Sequence, residues 1–423
     1  MIPGSGWEAA IAAGVSPRPP PGEPLTDSEG HAVERWAASG AAHLTGRSEG
    51  PPLGPPTRLL PGLDALAGPF SGLDPLGLLV ERAASAGFER GGRSSCGGSC
   101  RLLETADGWL AVSLPRLEDI ALLPAWLGLD PAGVAADRPP WAAVRAAVRR
   151  QPGAVLEEKA ALLGLAVGRI GASARPPVVR TALGPAEPSP RLEDLVVVDL
   201  TSLWAGPLCG ALLGSLGATV FKVESKSRPD GARTGAPPFF DRLNGAKRSV
   251  VLDFEDRAGL GALRALVERA DLVLEASRPR ALQQLGLDAS ALVAAGGGPR
   301  VWISITGHGR TGDPPRIGFG DDAAVAGGLV AHDGTGPLFC ADAIADPCSG
   351  LAASFAAVDA LAGGGRWLLD VSMSAVAASL AGPTLPLPPG MAAPPPPAPL
   401  SGPTAPPMGA DTAAVLQQLA ARA

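Results

Sequence analysis

Residues 195–224 read LVVVDLTSLWAGPLCGALLGSLGATVFKVE. The run 195–198, closed by Asp199, is an unbroken apolar stretch of the kind that forms a strand buried on both faces. Ala205-Gly206-Pro207 marks a turn. Small residues over 208–216 then spell a helix, and 218–223 a second strand. Strand, turn, helix and strand within about 30 residues make a βαβ unit. The glycine fingerprint of a dinucleotide site is absent after the first strand, where Trp204-Ala205-Gly206-Pro207 stands instead, and no GxxxxGK[ST] loop occurs. Dinucleotide dehydrogenases and P-loop enzymes are disfavoured, although a helix start of this kind still offers backbone N–H groups to an anion.

The rhythm continues downstream. Segments 249–254, 271–275, 300–305 and 367–371 read as strands, and 257–270 and 347–361 as helices. Strands alternating with helices predict an α/β fold with a Rossmann-like, mostly parallel sheet. Upstream the pattern differs. Residues 1–30 are rich in proline and glycine, 31–44 have helical spacing, and 47–62 form a proline-rich loop. Short helical patterns at 63–67 and 78–86 lead into a glycine/serine loop at 91–99. The stretch 101–114 reads as a hairpin turning at Asp107-Gly108. Helical segments follow at 117–127, 141–150 and 154–165, so this part is a smaller α+β domain. Residues 172–190 read as an exposed linker and 382–407 as a proline-dominated linker or arm, with a short helix at 411–421. One internal echo is visible: 36–53 (WAASGAAHLTGRSEGPPL) resembles 324–338 (AVAGGLVAHDGTGPL).

Composition narrows the function. The formal net charge is −6, which argues against a general nucleic-acid or membrane-surface role. The five cysteines, 96, 100, 209, 340 and 348, form neither a disulfide framework nor a zinc-ligand pattern, so no metal is expected. No stretch approaches the ~18 apolar residues of a membrane span, and the first residues lack a basic, apolar leader pattern. A reduced, cytoplasmic protein is the expectation.

Several residues stand out chemically. Lys222, Lys226, Arg228, Arg233, Arg242, Lys247 and Arg248 fall close together in an otherwise acidic chain. Such a group suits either a phosphate site or a solvated basic face. Asp346, in ADAIADPCSG, precedes a small-residue helix. A carboxylate there either caps the helix or serves as a nucleophile or acid/base at the sheet mouth. His308, in TGHGR, lies just past a strand end, as a ligand-facing or merely exposed loop residue. The string Gly46-Arg47-Ser48-Glu49-Gly50 matches GxSxG but lacks the strand before and helix after that a nucleophile elbow requires.

Taken together, DLTSLWAGPLCGALLGSLGATVFKVE (199–224), LNGAKRSVVLDF (243–254), ADLVLEASRPRALQQLGL (270–287), ISITGHGRTGDPP (303–315), DPCSG (346–350) and LLDVSMSAV (368–376) resemble the class III CoA-transferases, the CaiB/BaiF family. The resemblance implies transfer of CoA between an acyl-CoA and a free carboxylic acid. It implies Asp346 as the nucleophile, forming first an acyl-aspartyl anhydride and then an aspartyl-CoA thioester. An ordinary carboxyl pKa of ~3.9 would leave it ionised. The resemblance further implies CoA contacts from Trp204, Lys226, Arg228, Lys247, Arg248, Ala276, Ser277 and Thr306. CoA is then a co-substrate, with no resident cofactor. Ala276-Ser277 replaces the family's frequent Asn-Phe, and Gln284 an arginine. A glycine loop that covers the active site in the family corresponds to Gly97 and Gly98. Residues 95–116 resemble the start of the family's small domain, here upstream of the sheet rather than downstream, so the N-terminal half resembles a rearranged or fused copy.

The resulting division is a lead-in with a helical segment (1–60), a small-domain-like region (61–175), a Rossmann-like CoA-binding large domain (191–381), a proline-rich linker (382–407) and a C-terminal helix (408–423). A homodimer, interlocked as in the family, is expected. The related α-methylacyl-CoA racemases carry a His-Asp pair where Phe319-Gly320 stands here, which leaves a racemase short of one proton-transfer group. A racemase-like enzyme and a catalytically degenerate CoA-ester-binding subunit remain the alternatives.

Overall fold

The structure, a computed structural model, describes residues 25–185, 191–277, 279–312, 315–399 and 402–420. Three helices come first: α1 (Asp27–Ala38), α2 (Leu59–Ala67) and α3 (Pro75–Ala86). The Thr26 hydroxyl and the Glu29 carboxylate cap α1 reciprocally, and the helix stops at Ser39-Gly40, short of the expected 44. An antiparallel sheet of β1 (Cys100–Glu104), β2 (Trp109–Ser113) and β3 (Ala166–Arg169) follows. Between β2 and β3 lie α4 (Leu117–Ala121), α5 (Leu123–Leu127), α6 (Trp141–Val148) and α7 (Gly153–Leu163). This part has its own core around Trp126, Val144 and Leu156.

The large sheet contains β4 (Val178–Gly184), β5 (Val196–Asp199), β6 (Thr219–Ser225), β7 (Arg248–Leu252), β8 (Leu272–Glu275), β9 (Val301–Thr306) and β12 (Arg366–Ser372). A small two-stranded ladder, β10 (Ala331–His332) with β11 (Pro337–Leu338), lies between β9 and β12 in sequence. The connecting helices are α8 (Ala205–Ser215), α9 (Pro237–Asn244), α10 (Arg257–Glu268), α11 (Pro279–Gln284), α12 (Ala289–Ala294), α13 (Gly320–Gly327), α14 (Ala345–Ala362), α15 (Met373–Leu380) and α16 (Thr412–Ala420).

The strand order is β4-β12-β9-β8-β5-β6-β7. Every neighbouring pair from β12 to β7 is parallel, and β4 runs antiparallel on β12. Read from β7 to β12, this is the order of a dinucleotide-binding sheet, and the order reverses between β5 and β8. Ligands bind such sheets outside the carboxyl ends of the strands at that reversal. The expected α/β fold with a mostly parallel sheet and a smaller α+β part is therefore present.

One expectation is overturned: 178–184, read as exposed linker, is strand β4. Its prolines lie outside the strand, and as an edge strand it shows one half-exposed face and no apolar run. Residues 1–24, 186–190 of the same stretch, 400–401 within the proline-rich segment and 421–423 of the expected C-terminal helix lie outside the described residues. The remainder of 382–407 is extended and docked on the body, with Leu385 N–H donating to Pro55 O at 2.9 Å and Ala405 N–H to the Asp241 carboxylate at 2.8 Å.

α14, ADPCSGLAASFAAVDALA, is small and apolar on nearly every face, as a helix surrounded by protein must be. It joins one core with Trp36, Leu63 and Leu79 from α1 to α3 and Val197, Ile303 and Leu369 from the sheet. The N-terminal helices thus pack directly on the element that carries Asp346. The small sheet docks on α13 through Cys100, Leu102, Ala111 and Val325. The echoing segments meet as well, with Arg47 Nε donating to the Asp333 carboxylate at 2.5 Å. Among the described residues, no helix is long and apolar enough to cross a membrane.

Candidate active site

Asp346 sits inside the first turn of α14, whose N-cap is Ile344. The partial positive charge of the helix start favours a negative charge there. The backbone leading to it is strained. Ala341 (φ 52°) and Ala343 (φ 42°) adopt the left-handed conformation, which costs about 1–3 kcal/mol per non-glycine residue. Two side chains hold it: Thr45 Oγ1 accepts from Ala341 N–H, and Asp321 Oδ1 accepts from Ala343 N–H at 3.2 Å. The turn after β5 is strained too, at Leu203 (φ 70°), immediately before Trp204. Asp230 accepts from Leu203 N–H at 2.9 Å and pairs with the buried Lys222 at 2.8 Å, which fixes that turn.

Three carboxyls, those of Asp321, Asp322 and Asp342, gather around Asp346, with the Arg82 guanidinium among them. Arg82, from α3, grips the fully buried Asp342 through Nε at 2.7 Å and Nη2 at 2.5 Å. Its guanidinium lies 5.3 Å from the Trp204 ring centroid and 5.5 Å from that of Phe88. Trp204 is buried, stacks edge-on against Phe239 at 5.0 Å, and leaves its Nε1 without a hydrogen-bond partner. Sequence reasoning missed Arg82, because nothing in the local pattern VERAAS separates it from any other helix arginine.

The electrostatics correct the ordinary pKa expected for Asp346. A little of the residue's surface is accessible, but its carboxyl is packed round by protein, and this burial pushes it up to about 7. Arg82 opposes the rise, and the neighbouring Asp321, Asp342 and Asp322 add to it. Burial likewise pushes Asp321 up to about 7 and Asp322 to about 6. The burial of so many carboxyls beside a single guanidinium explains why protons are retained.

Glycine at 320 makes room for the Asp346 carboxylate. A Cβ there would overlap Asp346 Oδ2 and the Ala343 carbonyl oxygen. Gly320→Ala must therefore displace the carboxylate or the strained turn. Any reaction that uses this carboxylate is expected to slow ~100-fold or more, as mispositioning by an ångström does. Gly261→Ala, where nothing lies within 4 Å of the added carbon, is the matched control and should leave the rate unchanged. Paired rate measurements check this.

The glycine loop is close by. A Cβ on Gly97 would lie 3.5 Å from Arg82 Nη2, and Cys96 Sγ donates to Ala341 O at 3.4 Å, so the loop borders the Arg82–Asp342 pair. Gly98 follows on the exposed side.

The basic residues that looked like one cluster do not form one solvent-facing patch: Lys222, Arg233 and Lys247 border one small cavity, and each is paired with a carboxylate. Lys222 and Lys247 are buried and internally satisfied, and do not face solvent. Lys247 Nζ donates to Asp199 at 2.8 Å, Pro207 O at 2.7 Å and Asn244 Oδ1 at 3.1 Å. Arg233 pairs with Glu224 at 2.5 Å, and Arg242 with Glu81 at 3.3 Å. Arg248 begins β7, at the opposite end of that strand from the Lys226–Arg228 loop; it lies over Phe221 and reaches Asp411 at 3.6 Å. Lys226 and Arg228 are exposed, just past the carboxyl end of β6.

The strand ends complete the picture. Trp204 follows β5, Ala276 and Ser277 follow β8, and Thr306 closes β9, all along the carboxyl edge of the parallel strands. Ala276 is exposed, and Ala276-Ser277 borders the β5/β8 reversal. Thr306 Oγ1 is buried with no hydrogen-bond partner. His308 is no exposed loop residue: its Nε2 is buried. Among the described residues, no group of three or more His, Cys, Asp and Glu side chains is arranged to hold a metal ion.

Comparison with known proteins finds relatives of this chain. Succinyl-CoA--D-citramalate CoA-transferase of Chloroflexus aurantiacus is 34% identical over 40% of this chain and 44% of its own. Succinyl-CoA:glutarate CoA-transferase of Mus musculus is 31% identical over 45% and 42%. The chain thus spans less than half the length of these curated relatives. A solved CAIB/BAIF family protein from Brucella suis is 32% identical, covering 45% of this chain and 55% of that one with a TM-score of 0.41. The sequence model of CoA-transferase family III matches residues 192–413, a little over half of the chain. With that match, the chain belongs to CoA-transferase family III.

Proposed function

We propose that the protein transfers CoA between an acyl-CoA and a free carboxylic acid, with Asp346 as nucleophile. The observation that carries this reading is a carboxylate in the first turn of a buried helix, seated where Gly320 leaves room for its Oδ2 and within the field of Arg82. A carboxylate oxygen of Asp346 attacks the thioester carbonyl, the C–S bond breaks, and CoA leaves as thiolate from an acyl-aspartyl anhydride. The thiolate then attacks the aspartyl carbonyl, releasing the first acid and leaving an aspartyl-CoA thioester. The acceptor carboxylate and the thiolate repeat these steps in reverse order, which regenerates Asp346. Each stage replaces one difficult acyl exchange by an easier substitution. The helix start stabilises the oxyanions that develop. Trp204, Ala276, Ser277, Thr306, Lys226 and Arg228 lie on the strand-end edge where CoA would run. Lys247 and Arg248 contribute from behind, by holding the turn and the α16 contact. The glycine loop at Gly97 and Gly98 would cover the reacting carbons. CoA is a co-substrate in this scheme and no resident cofactor takes part. The relatives' named acids, citramalate and glutarate, support a carboxylic acid as acceptor. A homodimer completes the proposal, and sedimentation of the purified chain reads it directly.

The reaction has a definite pH dependence. Only the ionised carboxyl attacks, and Asp346 ionises near 7. The single-turnover rate is expected to rise with pH through about 7 and then level off. Stability moves the other way. Between the ordinary value of 3.8 and about 7 the folded protein holds protons on Asp346 and Asp321 that the unfolded chain releases. Stability from these groups is thus full at low pH and lost as pH rises through that window. A pH–rate profile levelling off below pH 5 contradicts the assignment. Incubation with a panel of acyl-CoAs and free acids, read by mass spectrometry, tests the activity. Exchange of the α-proton into deuterated water without CoA exchange would instead indicate a racemase.

A further inference from the structure

Two buried polar atoms beside the nucleophile have no hydrogen-bond partner and point at the same space. They are His308 Nε2, in the turn after β9, and Asp322 Oδ2, in the first turn of α13. A Cβ on Gly318 would lie 3.3 Å from the first, 3.0 Å from the second and 3.1 Å from the Gly307 Cα. Both residues are held from behind. Asp322 Oδ1 accepts from Ser113 Oγ at 2.7 Å and from Phe319 N–H at 3.0 Å. The His308 carbonyl accepts from Arg175 Nη1 at 2.8 Å. His308 Nε2 and Asp322 Oδ2 thus both lie against the face that Gly318 leaves without a side chain. Orphaned buried polar atoms are rare in folded proteins and call for an occupant.

The place is fixed relative to Asp346. Phe319 is extended (φ −118°, ψ 174°), so Gly318 and Gly320 face the same side about 7 Å apart. The space beside Gly320 holds the Asp346 carboxylate, and the space beside Gly318 holds the orphaned pair. One side of a single Gly-Phe-Gly segment thus carries a nucleophile and, one short acyl chain away, two unmet polar atoms. The charges also fit. Burial, with Arg316 and Arg175 nearby, lowers His308 to about 3, so its ring is neutral, while Asp322 titrates near 6. A neutral imidazole that donates and a carboxylate that accepts together complement a hydroxyl group, which does one of each.

We propose that His308 and Asp322 form a subsite for a hydroxyl group on the acyl chain, so that hydroxyacyl groups are selected over unsubstituted ones. The proposal rests on the acyl-CoA reading of the Asp346 site. It requires neither residue to touch the reacting carbonyl, so both are specificity-determining groups.

The test compares (R)- and (S)-3-hydroxybutyryl-CoA with butyryl-CoA, by equilibrium binding and by kcat/KM, in the full chain. Wild type is expected to prefer one hydroxy ester by about tenfold or more, as a site built to hydrogen-bond a hydroxyl does. In His308→Phe the preference should shrink to within about twofold, with butyryl-CoA handled as before; in Asp322→Asn, which also alters the field at Asp346, the hydroxy-ester to butyryl-CoA ratio should fall likewise. Gly318→Ala, which fills the space without removing either group, should have the same effect and serves if His308→Phe fails to fold. Equal handling of all three esters by wild type overturns the subsite and leaves the pair as a water site. So does an equal loss for all esters in the variants. A binding preference that persists without any CoA exchange sinks the transferase reading but leaves the subsite standing. Intact transfer with no preference does the reverse.

Discussion

Asp346→Asn is expected to lose CoA transfer by about 10⁴-fold or more, the scale on which loss of a covalent nucleophile falls. The change is nearly isosteric, so the contacts beside Gly320 persist, but an amide cannot form the anhydride. CoA-ester binding should survive, because the strand-end residues proposed to hold CoA are untouched. The fold should not suffer either. Burial already pushes this carboxyl up to about 7, so a neutral side chain relieves a penalty. Loss of turnover with retained binding and an unchanged or raised thermal midpoint is the expected combination. Retained turnover would remove Asp346 from the mechanism.

Lys247→Met carries the largest expected cost in stability. Lys247 is buried against Asp199, Pro207 O and Asn244 Oδ1, and Asp199 closes β5, a central strand of the large sheet. Burial opposes charge on both partners, yet Lys247 and Lys222 hold the Asp199 carboxyl below its ordinary value, so the pair stays ionised. Removing the lysine leaves a buried carboxylate short of its nearest cation, a loss of about 3–5 kcal/mol. Asp199→Asn in the same chain removes that charge, and its side-chain oxygen still accepts from Thr201 N–H. The double variant should therefore recover much of the loss. Urea midpoints of the three variants check the cycle. A double variant as unstable as Lys247→Met would show that Asp199 is not the source of the cost.

Much of the fold was legible because burial on both faces leaves a local trace. The apolar runs that became β5, β6, β8 and β9 stand out from their surroundings, and α14 is marked by its small residues. Strand β4 left no such trace: VVRTALG is half-exposed and sits among prolines. Helix α13 was equally hidden, since GDDAAVAG begins with two carboxylates that only the tertiary fold buries.

The site divides along the same line. Asp346 and Trp204 could be singled out because family resemblance attaches to local strings. Arg82 lies outside the matched residues, in a segment whose role depends on packing against α14. The lysines misled for a related reason. Charge spacing shows that Lys222 and Lys247 are near other cations in sequence, but not that Asp230 and Asp199 already neutralise them. Nor does sequence reveal that His308 Nε2 and Asp322 Oδ2 face one another across Gly318.

The central claim is that Asp346 becomes covalently linked during transfer. The direct measurement is mass spectrometry of the peptide containing Asp346 after quenched incubation with an acyl-CoA. The proposed mechanism predicts a CoA-bearing adduct on Asp346 that hydroxylamine removes and that Asp346→Asn never forms. CoA transfer with that peptide unmodified throughout, or with the adduct on a different residue, would contradict it.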